Sequence, residues 1–507
     1  MFPIDCLYRG AWVAADQVAV ETEAGDRRLT HRELARAVDA LASAIQDRVP
    51  ERQSRIAVCG HNTIEHLISI LAIYASGNTW IALNPRSSSA DLNRLIDASR
   101  PALVIADEDC VDLFDATLAP LLIGAASGRP GRESVAGWLR QSAGRRPREC
   151  GVGLAHLQAI KYTGGSTGAP KGVMQSYRAG ATAIANLQAA YGYDRDEVNL
   201  VAAPLSHAAG VYILPILAVG GRHILLKKPA ASPILEALER RGVTRCFLPP
   251  TVIYNLLADP SATRRDYDQL RAISYGAAPM ATEKIHEAQS VFGDRIDVAY
   301  GQVEAPQTIA LGTAADLADP TAIGSVGRPG RMNRVAIIGA DGGHVPEGEI
   351  GEICIRGDLV MNGYLDNPDL SAEATRGGWL HTGDLGYLDG RGYLFIKGRS
   401  KEMLITGGFN VYPSDVEQAL ARHPAVSECV VFGLADEKWG ERVEAAVVLR
   451  EGAVASADEI IGFAKSLVGS VQAPKVVHQV DSLPRNAVGK IVRSNVASMF
   501  SDQAGGA

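Results

Sequence analysis

The sequence has few cysteines, and none of them are paired in pattern. Cys6, Cys59, Cys110, Cys150, Cys246, Cys354 and Cys429 are odd in number, scattered, and never spaced as CxxC. That argues against a disulfide framework or a zinc site and for a reducing compartment. The opening MFPIDCLYRGAW has an early aspartate and lacks the apolar stretch of a secretory signal. Long hydrophobic runs are also missing. The longest, about Ala208 to Gly221, contains Pro215 and is too short to span a bilayer. Positive charge is not in excess: 50 Lys and Arg face 57 Asp and Glu, a formal net charge of -7. The densest basic cluster, GRRPREC at 144–150, reads as a solvated loop, so no nucleic-acid partner is expected. Neither a fixed-period repeat nor a low-complexity tract is found. These absences suggest a cytoplasmic protein without stable membrane insertion, and they allow a homodimer.

A chain of 507 residues is too long for one core. In the first half, short apolar segments such as RIAVCG (55–60), ALVIAD (102–107), HILLKK (223–228), RCFLPP (245–250) and DVAYG (297–301) alternate with helical patterns at 31–46 and 232–242. That alternation predicts an α/β domain with parallel-rich sheets. Residues 125–150, rich in Gly, Arg, Ser and Pro, read as an irregular connection. After about residue 330, RVAIIG, GEICIRG and GYLFIKG are short strands between Gly turns, which predicts a small β subdomain. Residues 402–507 read as a separate small α+β domain. The expected division is 1–398, a junction at 399–401, and 402–507.

The stretch IKYTGGSTGAPKGV (160–173) concentrates the chemistry. Its glycines let backbone N–H groups turn inward as an anion nest. Thr163, Ser166 and Thr167 add hydroxyls, and Lys171 adds a charge on a flexible stem. The Walker pattern is not met, because Pro170 precedes Lys171 and Gly172 follows it.

The order T-G-G-S-T-G-x-P-K-G resembles the phosphate loop of the adenylate-forming superfamily, which includes acyl-CoA synthetases, aryl-CoA ligases, luciferases and peptide-synthetase adenylation domains. Further motifs of that superfamily follow in its order: PLSHAAG (204–210), YGAAP (275–279), YGQVEA (300–305), GEICIRGDLVMNGY (351–364), WLHTGD (379–384), GRSKEMLITGGFNVYPSDVE (398–417) and PRNAVGK (484–490). The resemblance runs from about Leu29 to Arg493. It implies that ATP activates a carboxylic acid as acyl-AMP, with Mg²⁺ present, and that the acyl group then passes to the thiol of CoA.

By the same resemblance, Thr163, Gly164, Gly165, Ser166, Thr167, Gly168 and Lys171 hold the departing phosphates, and Lys490 is the catalytic lysine at the α-phosphate. Glu304 matches the magnesium carboxylate. Val303 stands where the superfamily usually has Thr, and Gly164 where it often has Ser. Asp384 and Arg399 match the ribose contacts. Gly276, Ala277, Ala278, Tyr300 and Gly301 match the adenine slot. His207 matches a gate beside the substrate carboxylate, with Gly210, Tyr275, Gly301 and Asn410 around the acyl pocket. Gly407, Gly408 and Phe409 match the pantetheine tunnel, and Lys401 the hinge of a mobile C-terminal domain. None of these motifs offers an Arg or Lys for a second carboxylate in the pocket, which counts against dicarboxylates and leaves aryl, alicyclic or medium-chain acids. Two alternatives stay open: loading of a carrier protein, and a non-catalytic nucleotide sensor, the latter motivated by Val303.

Overall fold

The computed structural model describes residues 1–115, 118, 120–123, 132–163, 170–485 and 491–501. Two parallel-rich sheets build the large N-terminal part. One has six strands, in the order Leu121–Ile123, Leu103–Asp107, Arg55–Cys59, Thr79–Leu83, Leu157–Thr163, Lys171–Ser176. Only its last pair is antiparallel. The other has nine strands, with six parallel in its middle, from Val18–Thr22 to Ile296–Tyr300.

Period-two alternation sends the faces of these strands to different cores. Ile56 and Val58 join one apolar cluster, together with Val201, Phe247 and Ala299 of the nine-stranded sheet. Ala57 and Cys59 face the helix Ser89–Ser99, and Leu248, Ile273 and Val298 face the helices Ala231–Arg240 and Thr282–Phe292. The shared central layer includes the helix His31–Arg48, which carries Leu34, Val38, Leu41 and Ile45 on one face. Its start is set by a capping box, Thr30 with Glu33. The parallel strands that end in Thr163, Gly276 and Tyr300 place the sequence motifs just beyond their carboxyl ends, where open α/β sheets bind ligands.

Two expectations need correction. Within 125–150 a helix forms at Val135–Gln141, capped by Ser134 and anchored by buried Trp138 under the Arg48 guanidinium at 4.2 Å. The cluster at 144–150 is not merely solvated: Arg145 and Arg148 both pair with Asp47, at 2.7 and 3.4 Å. The expected β subdomain is a four-stranded antiparallel sheet, Arg334–Ile338, Gly351–Arg356, Leu380–Leu388 and Leu394–Arg399. After a turn at Ser400–Glu402, a separate sheet begins at Leu404 and includes the long hairpin Val426–Asp436 with Gly440–Leu449. Among the described residues, no helix is long and apolar enough to cross a membrane.

Candidate active site

Asp384 is the best-held carboxylate of the candidate site. Its strand, Leu380–Leu388, pairs with Leu394–Arg399 so that Asp384 faces Arg399 in the ladder. The turn before it is fixed from the neighbouring strand. Glu352 accepts the Gly383 N–H at 3.0 Å and bonds the His381 ring at 2.7 Å, while the Thr382 hydroxyl donates to the Ile353 carbonyl at 2.7 Å. Asp384 is 6% exposed and takes three side-chain donors. The Tyr300 hydroxyl and Gln302 Nε2 donate to Oδ2 at 2.6 and 2.7 Å, and Arg399 Nε reaches Oδ1 at 2.8 Å. Burial and the adjoining Asp384 push the Tyr300 phenol well above its ordinary range, so it remains a donor. The sequence reading found Tyr300, Asp384 and Arg399 but missed Gln302, whose position inside YGQVE was the available signal.

The strand Ala272–Gly276 delivers the turn Gly276–Ala277–Ala278 beside that hub. A Cβ at Gly276 would lie 2.5 Å from the Ala299 carbonyl oxygen, so only glycine fits between the two strand ends. Ala277 adopts φ +68°, an uncommon conformation for a residue with a side chain and one that the surrounding turn must enforce. Tyr275 is a correction. Alternation turns it, with Ile273, into the helix-facing cluster of Leu248 and Met280, on the opposite side of the sheet from the core that contains Phe247.

On the phosphate side, Thr163 and Lys171 pair across a two-stranded ladder and flank the connecting loop. Gly164, Gly165, Ser166, Thr167 and Gly168 lie outside the described residues. The Lys171 ammonium sits 5.5 Å from the Tyr364 ring centroid, and the Tyr364 hydroxyl donates to Glu304 Oε1 at 2.9 Å. Tyr364, the last residue of GEICIRGDLVMNGY, thus joins the two expected charged groups; the sequence reading had assigned it no role. Val303 packs its side chain against the apolar cluster of Tyr300, Met361 and Leu380, and its carbonyl accepts Gln175 Nε2 at 2.7 Å.

His207 pairs through Nδ1 with the Ser206 hydroxyl at 2.8 Å. Burial, with the Lys161 and Arg86 cations nearby, pushes its pKa down to about 4, which leaves a neutral imidazole. Gly210 lies one turn further on. A Cβ there would fall 2.1 Å from the Leu205 carbonyl oxygen, so the loop can close only on glycine. Gly210 lines a cavity of about 70 Å³ together with Trp80, Lys161, Val211 and Pro306. Gly301 follows Tyr300 at the strand end, next to Gln302.

In the C-terminal part, Gly407 and Gly408 make the tight turn of a short hairpin. Phe409 is 61% exposed at its tip. Asn410 is exposed beside it and is not among the residues lining the cavity, a second departure from the expected acyl pocket. Lys401 is exposed in the turn Ser400–Glu402. Lys490 lies outside the described residues. Arg485 and Ile491 form an isolated bridge, and Arg493 pairs with Glu402, next to Lys401, at 3.2 Å.

A family model described as AMP-binding enzyme matches residues 9–365, and one described as AMP-binding enzyme C-terminal domain matches residues 415–490. A medium/long-chain-fatty-acid–CoA ligase of Mycobacterium tuberculosis is 35% identical over 500 residues, covering 95% of this chain and 87% of the relative. A feruloyl-CoA synthase of an Amycolatopsis species is 33% identical over 94% of this chain and 95% of its own. Among solved structures, the amide bond synthetase McbA from Marinactinospora thermotolerans superposes with a TM-score of 0.89 at 29% identity, covering 98% of this chain and all of that one.

Proposed function

The chain belongs to the AMP-binding enzyme family, and from that premise we propose an AMP-forming acid–CoA ligase whose nucleotide is seated on the Asp384 hub. The enzyme activates a carboxylic acid with ATP, releases pyrophosphate, and transfers the acyl group to the CoA thiol. A free carboxylate has no usable leaving group; bonding it to AMP provides one. Both steps crowd negative charge, so preorganised donors and cations carry the catalysis.

The observation that carries the reading is the donor count at Asp384. Each carboxylate oxygen has two lone pairs. Oδ2 is filled by Tyr300 and Gln302, while among the described residues Oδ1 holds only Arg399. One ribose hydroxyl takes the vacant lone pair of Oδ1. The second displaces Arg399, whose side chain is 47% exposed and is the donor freest to swing toward the sugar. Gly276, Ala277 and Ala278 form the wall for the adenine, His207 stands at the acyl carboxylate, and Lys171 and the 164–168 loop receive the phosphates.

Glu304 suits a hard cation. Tyr364 occupies Oε1 and leaves Oε2 for a metal, and one carboxylate completed by substrate phosphates is the usual magnesium arrangement. A bound Mg²⁺ supplies positive charge to the phosphate oxygens.

Lys490 acts on the α-phosphate in the first step. The exposed Gly407–Gly408–Phe409 tip receives pantetheine in the second, after the C-terminal domain turns about Lys401. Acid-dependent ATP–pyrophosphate exchange tests the first half and CoA-dependent AMP release the second. Proline fixes φ near −65° and removes a backbone donor, so Lys401→Pro is expected to keep acyl-AMP formation near normal and slow thioester formation about tenfold, or about 1.4 kcal/mol. Equal loss in both halves would mean misfolding or a direct catalytic role, and no loss in either would place the pivot elsewhere. No acid-dependent exchange at all would favour the nucleotide-sensor alternative.

A further inference from the structure

We infer that the acyl pocket ends on the Lys161 ammonium and takes a carboxylic acid whose far end carries an oxygen acceptor, a carboxylate or a ketone. The inference rests on the ligase reading above. Lys161 comes from IKYTGG, two residues before Thr163 on the strand Leu157–Thr163, so the two side chains share a face. It lines the same cavity as Gly210 and Pro306, which adjoin His207 and Glu304 in sequence, so the space continues the acyl site inward. The far wall is apolar, built from Leu67, Ile70 and Leu71 of the helix Ile64–Ala75.

Against that apolar wall, two polar groups lack hydrogen-bond partners among the described residues, whereas Gln175, which also lines the cavity, is bonded to the Val303 carbonyl. Among the described residues the Lys161 ammonium makes no hydrogen bond and no ion pair; its neighbour is the Trp80 ring, with the centroid at 5.2 Å. Gln158, 7% exposed, lines the same cavity and its side-chain amide also has no hydrogen-bond partner among the described residues. A partly buried cation and a buried amide that lack acceptors are best satisfied when a ligand supplies one. Burial pushes the Lys161 pKa only to about 8, so the group remains largely charged near neutral pH. A space of about 70 Å³ is under half of the roughly 150 Å³ that admits benzene, so it suits a small terminal group and not a further ring. The structure thereby reverses the expectation that the pocket holds no cation for a second carboxylate.

The test measures acid-dependent pyrophosphate release for length-matched medium-chain acids: plain monocarboxylates, dicarboxylates, and acids with a ketone near the far end. The wild type is expected to favour an oxygenated set by about tenfold or more in kcat/KM. Lys161→Met should erase that ratio without lowering the melting temperature. Lys161→Gln keeps a neutral donor, so it retains a preference for ketones and loses one for dicarboxylates, which tells the two acceptors apart. Turnover of plain acids with no preference, or a variant whose only change is a higher KM for ATP, would overturn the inference and leave the ligase reading standing. No pyrophosphate release with any acid in the panel would overturn both.

Discussion

Arg245 and Lys161 are both partly buried cations on parallel strands of the large domain, and they are treated in opposite ways. Arg245 reaches Glu197 at 3.2 Å and Asp297 at 2.8 Å, donates to the Tyr191 carbonyl at 3.3 Å, and lies 5.4 Å from the Tyr191 and Tyr193 rings. Burial opposes its charge, but the carboxylates outweigh burial and its pKa rises. Lys161 has one aromatic ring and a cavity. The planar fork of Arg245 commits its donors within the fold, whereas the ammonium of Lys161 keeps its own free. A compensated cation belongs to the architecture; an uncompensated one beside a cavity is available to a ligand.

The sharpest way to break that comparison is to remove each cation. Arg245→Met strands Glu197 and Asp297 without their shared partner and should cost about 3 kcal/mol in urea unfolding, moderated by Arg271, which still reaches Glu197 at 3.1 Å. Lys161→Met should cost less than about 1 kcal/mol, because no carboxylate is left behind. Similar losses in the two variants would dissolve the distinction.

Asp384 stands between the two cases, partnered yet with one displaceable donor. Asp384→Ala should lower kcat/KM for ATP about a hundredfold, near 2.7 kcal/mol, with a smaller loss of stability because Tyr300, Gln302 and Arg399 lose their acceptor. A large melting shift with a modest kinetic loss would make the hub structural.

A pH series probes Lys161 without mutation. Its pKa falls from about 10.4 in model peptides to about 8 through burial, so the ammonium is present below that value and lost above it. For acids with a distal carboxylate, kcat/KM should therefore drop roughly tenfold per pH unit above about 8, while plain acids do not follow. Of the neighbouring groups, His207 is already neutral there, burial lifts the Tyr74 phenol clear of this range, and Arg86 is the other nearby cation. Identical profiles for both acid classes would assign the drop to another group.

The smallest effect is expected at Val303. Val303→Thr restores a hydroxyl, and adenylation measured by pyrophosphate exchange should be no slower. Packed against Tyr300, Met361 and Leu380, that hydroxyl should cost about 1 kcal/mol of stability. A large drop in melting temperature with no gain in rate would place Val303 away from the phosphates.

Much of the fold was legible because local chemistry and global packing agree. The strands at 55–59, 103–107, 245–248 and 296–300 are short apolar runs between turn residues, and they pair as parallel ladders as such runs should. The strand Leu380–Leu388 was not read as one, because Gly383, Asp384 and Gly386 interrupt its apolar content; its alternating burial emerges only against Gly351–Arg356. Tyr275 was misplaced for a related reason. A motif places a residue along the chain, but which face of the strand meets the pocket depends on the sheet above it.

What the sequence determined by itself is the ordered set of motifs, with the glycine-rich stretch at 163–168, Glu304, Asp384, Arg399 and Lys490 among them, from which the resemblance and the expected phosphate, metal and ribose roles were read. The tertiary structure alone decided how the donors are shared. Gln302 completes Asp384, Tyr364 joins Glu304 to Lys171, and Lys161, beside a cavity and the Trp80 ring, has no hydrogen bond or ion pair among the described residues. Hydrogen bonds and ion pairs act over a few ångströms, and the residues that come that close here lie 82 positions apart in the Gln302–Asp384 pair and 60 in the Tyr364–Glu304 pair.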